Sequence, residues 1–98
     1  MAKLIVREAD QTLLIDLEGE ERLIVGRSHG CELPIQAQRA SRRHAEIASS
    51  AEGGHVVRDL DSTNGTLLNG APFPGSRPLR DGDVIDIGGC LITYHGAP

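Results

Sequence analysis

The 98-residue chain contains no tryptophan and only one phenylalanine and one tyrosine. A core built from it must be aliphatic, and the aromatic platforms on which single-stranded nucleic-acid binders stack bases are missing. No apolar run approaches the 18 residues that a membrane helix needs, and no charged-apolar-cleavable leader opens the chain, so membrane insertion is not expected. Cysteine is scarce, with Cys31 and Cys90 alone. One disulfide is formally possible, but without a secretion signal a reduced, cytoplasmic setting is the expectation. Nor is there an apolar period of 3.6 residues sustained over the ten or so positions a helix requires.

A basic excess is lacking as well. The net charge is −4, which argues against a general binder of nucleic acid or anionic membrane, since those need a positive field over a whole face. The sign is uneven, however. Residues 26–44 hold four arginines (Arg27, Arg39, Arg42, Arg43) against one acid (Glu32), a local +3 that leaves −7 for the rest. A small positive site on an acidic body suits a compact anion better than a polyanion.

What is present is a succession of short β-branched and leucine-rich runs punctuated by turn residues. Residues 3–6, 12–17 and 22–25 read as three strands, separated by turns at 8–10 and 19–21. Residues 26–40 form a long polar loop enclosing a short strand around Leu33 and Ile35, and loops of that length are usually functional. Strands follow at 43–48 and 55–60 across a Gly-rich hairpin. A second polar loop at 61–65 precedes a stub at 66–68, a tight Asn69-Gly70 turn and a proline-broken edge over 72–78. A closing hairpin joins 83–87 to 90–94 across Gly88-Gly89. Ten or eleven short strands with turns every eight to twelve residues predict an all-β sandwich whose loops gather at one end. One domain over 1–98 is expected, big enough to fold without metal or disulfide. Gly96-Ala-Pro98 is linker-like, so residues 95–98 are read as the possible start of a linker in a longer protein.

The densest cluster of donors is Arg39-Ala-Ser-Arg-Arg-His44, at the mouth of a strand. A phosphomonoester offers about two negative charges and three acceptor oxygens, which guanidinium forks match while staying charged. Arg27 is the first candidate ligand. The Ser41 hydroxyl and backbone N–H groups around Thr63 add neutral donors, and Arg42 a second positive one. The Asn64 carboxamide, donor and acceptor at once, suits the main chain of an extended peptide. Gly65 permits a positive φ in that loop.

Taken in order, Gly26-Arg27, Ser41-Arg-Arg-His44, Asp59-Leu-Asp-Ser-Thr-Asn-Gly-Thr66, Asn69-Gly70 and Leu79-Arg-Asp-Gly-Asp83 resemble the forkhead-associated (FHA) family over nearly the whole chain. The resemblance implies an eleven-stranded sandwich of two twisted, mostly antiparallel sheets that binds phosphothreonine peptides at its loop apex. It makes Arg27, Ser41, Arg42 and Thr63 phosphate-binding and Asn64 peptide-binding, with Gly26, His44 and Gly65 supporting the site. Arg39 stands where some members read the third residue after the phosphothreonine, and an acid is expected there. Two departures are visible: Asp61 where Gly or Asn is more usual, and Ala40 in place of a larger aliphatic. The expected partner is a threonine-phosphorylated protein, in trans or within the same full-length chain. No nucleic acid, no cofactor and a monomeric isolated domain complete the expectation.

Other classes fit less well. Ser41, His44 and Asp59 resemble a hydrolase triad in composition only, since a serine three residues before its histidine on an extended chain has no nucleophile elbow. Zinc would need paired ligand spacing, which Cys31, Cys90, His29, His55 and His95 do not show. Asp81-Gly82-Asp83 is a turn and lacks the further ligands of a calcium loop. The serious rival is a scaffolding module of the same fold that binds partners without phosphate.

Overall fold

The computed structural model describes residues 2–17 and 22–96, so the turn read at 19–21 and the last two linker-like residues lie outside the described residues. Strand β1 (Ala2–Glu8) buries Leu4 and Val6 and turns Lys3 and Arg7 to solvent, the period-2 alternation of a half-buried strand. A two-residue turn with Ala9 at φ 51° returns the chain into β2 (Gln11–Leu17), in register from Glu8↔Gln11 to Ala2↔Leu17. The other neighbour of β1 is β11 (Cys90–His95), which pairs in turn with β10 (Val84–Ile87), then β7 (Leu67–Leu68) and β8 (Ala71–Pro72), completing a six-stranded sheet.

The second sheet has five strands in the order β4 (Leu33–Pro34), β3 (Arg22–Gly26), β5 (Ala45–Ser49), β6 (His55–Asp59) and β9 (Ser76–Pro78). Every pairing is antiparallel except β3 with β4. Eleven strands and no helix are present among the described residues, the β-sandwich that the sequence predicts.

The differences from the sequence reading are local. Strand β5 begins at Ala45 rather than 43, because the His44 ring is turned into the loops. The proline-broken edge is two stubs in different sheets, β8 in one and β9 in the other, since Pro72 and Pro78 each end a ladder. Thr66 lies outside β7, its hydroxyl drawn to Asp59. His95 is the last residue of β11.

Between the sheets Leu4, Val6, Ile85, Ile87, Cys90, Ile92 and Tyr94 meet Val25, Leu33, Ala45, Ile47 and Val57, all buried. Burying an aliphatic side chain of this size contributes about 1.5–3 kcal/mol, so a mainly aliphatic core, with Phe73 packed against its margin, is sufficient once both sheets interlock. The lone tyrosine reaches across: its hydroxyl lies 2.9 Å from His55 Nδ1 and the rings meet edge to face. Burial, with Asp81 nearby, pushes that phenol above its ordinary pKa, so it stays a neutral hydroxyl. Ile85, fully buried between Ile92 and Leu68, tests the core directly. Ile85→Ala is expected to cost about 2–5 kcal/mol in urea unfolding, from lost transfer energy plus the cavity left behind.

Candidate functional site

Three connections meet at one end of the sandwich: residues 27–32 between β3 and β4, 35–44 between β4 and β5, and 60–66 between β6 and β7. The first two are sewn together by backbone bonds. Arg27 N–H donates to Ser41 O at 3.0 Å, Ser28 N–H to Arg42 O at 3.1 Å and His44 N–H to Val25 O at 2.8 Å. So close an approach admits no side chain at position 26. A Cβ on Gly26 would lie 2.1 Å from Arg42 O, which explains a glycine at the end of an otherwise apolar strand.

His44 joins the second and third connections. Its Nδ1 accepts the Ser41 N–H at 3.0 Å, so that nitrogen carries no proton, and its Nε2–H therefore donates to Gly65 O at 2.8 Å. The two partners assign a neutral imidazole of one tautomer, fully buried. Neither ring nitrogen is open to the Ser41 hydroxyl, so the pair has no general base to activate a serine nucleophile.

The third connection is wound on Asp59. Its carboxylate accepts the Ser62 N–H at 3.1 Å, the Ser62 hydroxyl and the Thr66 hydroxyl at 2.7 Å. Burial is the largest single influence on this carboxyl and acts upward, but the hydrogen bonds from Ser62 and Thr66 outweigh it and hold the pKa below the ordinary 3.8. In the same loop Asp61 takes φ 54° and Gly65 φ 80°. The left-handed conformation at 61 is the physical reason Gly or Asn suits that position, and Asp is among the residues that tolerate it.

On this frame stand the donors. Arg27 Nε–H donates to Ala40 O, which spends one of five guanidinium donors on fixing the side chain and leaves an exposed fork. Ser41 Oγ accepts the Thr63 N–H at 3.0 Å, so its hydroxyl proton remains to donate. Of the backbone N–H groups around Thr63 expected to serve the ligand, that of Thr63 itself is directed at Ser41. Asn64 Nδ2 donates to Arg39 O at 2.8 Å and keeps its carbonyl oxygen and second N–H. Arg39 and Asn64 line a hollow with Gly65, Leu67, Asp86, Gly88 and Gly89, while Arg27 lines another with His29, Pro34, Ile35 and Gln36. Arg42 is exposed. Arg43 turns away, into a hollow with Arg22, Ile24 and Glu32. There the Ile24 N–H is the main cause that holds the Glu32 carboxyl below its usual value, and Arg43 and Arg22 add attraction.

Two residues of the site carried no sequence signal. Glu8, at the end of β1, accepts the Gln36 N–H at 2.9 Å and the Ala37 N–H at 3.1 Å, pinning the β4–β5 connection from the other sheet. Asp86 faces the Arg39 hollow, its carboxylate held by the Gly89 N–H at 2.9 Å. The two cysteines are buried free thiols. Cys31 Sγ–H points at Arg42 O at 3.1 Å, and burial above all pushes the Cys90 thiol up to about 12.

The family model described as FHA domain matches residues 23–88. The chain is 41% identical over 70 residues to the ABC transporter ATP-binding/permease protein Rv1747 of Mycobacterium tuberculosis, covering 71% of this chain and 8% of that protein. It is 34% identical over 89 residues to pre-mRNA leakage protein 1 of Saccharomyces cerevisiae, covering 86% and 41%. Among solved structures, an FhaA FHA domain in complex with the intracellular domain of Rv3910 superposes with a TM-score of 0.84 at 32% identity, over 97% of this chain and 100% of that one. A chain from a study of phosphothreonine-dependent FHA domain interactions gives 0.82 at 32% identity, over 99% and 97%. The chain thus spans well under half the length of these two curated relatives.

The Asp59 bonds make a pH prediction. A carboxyl whose folded pKa lies below its unfolded value stabilises the fold at neutral pH and loses that contribution as pH falls below about 4, where the unfolded state takes up the proton first. Thermal unfolding of the native chain is therefore expected to fall more steeply between about pH 4 and pH 2 than that of Asp59→Asn, which is less stable at neutral pH. Parallel pH profiles would contradict this role.

Proposed function

The chain belongs to the FHA domain family, a family of binding modules, and on that premise we propose that it reads phosphothreonine within an extended segment of a partner protein, without catalysing a reaction. One observation carries the reading. The Ser41 hydroxyl is fixed by the Thr63 N–H so that its proton can donate, beside the anchored, exposed Arg27 fork. Such a pair offers a phosphomonoester both neutral and charged donors, the latter worth about 1.5–3 kcal/mol each. Two similar structures, one from a study of phosphothreonine-dependent FHA domain interactions and one a complex with an intracellular domain, support the same class of partner.

The roles follow the geometry. Arg27 and Ser41 bind phosphate, with Arg42 as the second cation, since its neighbour Arg43 lines a separate hollow with Glu32. Thr63 contributes by orienting Ser41 through its N–H. Asn64, already tied to the Arg39 carbonyl, presents the rest of its carboxamide to the peptide main chain. Gly26, His44 and Gly65 hold these groups in place. Arg39 selects an acid at the third residue after the phosphothreonine, and Asp86 across the same hollow weakens that preference.

Titration of a phosphothreonine peptide, its unphosphorylated twin and a phosphoserine version by calorimetry tests the reading. Binding is expected for the first, weaker binding for the third and none for the second. Arg27→Ala or Ser41→Ala should weaken it about 10- to 150-fold, the equivalent of one charge-assisted bond. Equal affinity for all three peptides would favour a phosphate-independent scaffold. In an oriented phosphothreonine library, Asp and Glu enrichment at the third following position is expected to vanish in Arg39→Ala and to rise in Asp86→Asn. A flat profile in the native chain removes Arg39 from the site.

A further inference from the structure

Among the described residues the two open sheets have four edge strands, β8 and β2 in one, β4 and β9 in the other. Three of them are two or three residues long and contain a proline, namely Pro72 in β8, Pro34 in β4 and Pro78 in β9. Short edges that lack an N–H are how sheets resist pairing with other chains. Strand β2, Gln-Thr-Leu-Leu-Ile-Asp-Leu, is different: seven residues, no proline, no glycine and one charge. It also carries Leu13 and Leu14, 51% and 59% exposed, among the most exposed large apolar side chains of the described residues.

The hairpin register says which backbone groups of β2 are open. The pair Glu8↔Gln11 that closes the two-residue turn must exchange its own bonds, so Gln11, Leu13, Ile15 and Leu17 bond to β1. Thr12, Leu14 and Asp16 then direct N–H and C=O away from the sheet. We propose that this edge pairs antiparallel with β2 of a second copy, about a twofold axis at Leu14, making a continuous twelve-stranded sheet in place of the monomer expected from sequence.

That register is self-complementary. Leu14 meets Leu14 of the second copy, flanked on each side by Ile5, and Leu13 meets Ile15 on the inner face. Thr12 meets Asp16 of the second copy, with Arg7 behind the threonine and Lys3 behind the aspartate. Within Gln11–Leu17 no like charges face one another, and about six backbone hydrogen bonds form. A slip of two residues one way sets Asp16 against Asp10 of the other copy. A slip the other way sets it against Leu14. Keeping both cores on the same side of the sheet forbids one-residue slips.

Sedimentation of the 98-residue chain over a dilution series from about 1 mM tests the proposal. A shift from 10.5 kDa to about twice that mass is expected at the high end. Leu14→Lys places two ammonium groups together at the axis and should abolish the shift. Leu14 is exposed, so circular dichroism should remain native. Under oxidation Leu14→Cys should give a covalent dimer, because paired Cα atoms about 5.5 Å apart fit a disulfide. Thr12→Cys should not, its copies being about 13 Å apart along the strands. A species that stays monomeric at 1 mM overturns the proposal and leaves the edge to a strand of another protein. A dimer that survives Leu14→Lys, or equal crosslinking at both positions, overturns it as well.

Discussion

The buried His44 imidazole is the contact on which the binding end depends. Its two nitrogens hold two connections that come from different parts of the chain, Ser41 on one side and Gly65 on the other. In a buried site an unpaired ring nitrogen is costly, so satisfying both makes the join between loops specific as well as tight. The same join leaves neither ring nitrogen open to the Ser41 hydroxyl. A histidine that sequence places beside a serine is thereby a brace, and the serine it braces is left with a proton to donate.

Around that brace the loops are over-determined. Gly26 lets the β3–β4 connection press against Arg42, Asp59 gathers Ser62 and Thr66, and Glu8 reaches from the opposite sheet to fix Gln36 and Ala37. Asp59 and Glu8 are carboxylates at the rim of an aliphatic core, where water is partly excluded and hydrogen bonds to charge are strong. The donors at the apex are therefore presented by a rigid frame, and a ligand need not bear the cost of ordering them.

The sandwich treats its two ends and its edges differently. The apex gathers donors for an anion, and three edges are closed to pairing by proline and brevity. The β2 edge carries neither device, and its apolar row continues inward through Ile5. The proposed peptide recognition and the proposed chain-to-chain pairing thus draw on separate surfaces of one small domain.

By itself the sequence determined the strands, because alternation and turn residues act over a few positions. Ile85 and Ile87 against Val84 and Asp86, or Asn69-Gly70 in a tight turn, carry their meaning locally. It also placed Gly26-Arg27, Ser41, His44 and the 61–65 loop among the residues of interest, since those motifs stand in order along the chain. The tertiary structure alone decided what each group bonds to. The tautomer of His44, the spending of the Thr63 N–H on Ser41, and the bonds made by Glu8 and Asp86 all rest on partners 3 to 29 residues apart. A hydrogen bond is set by distance and direction in space. Chain order fixes neither until the two sheets have packed and brought their loops to one end.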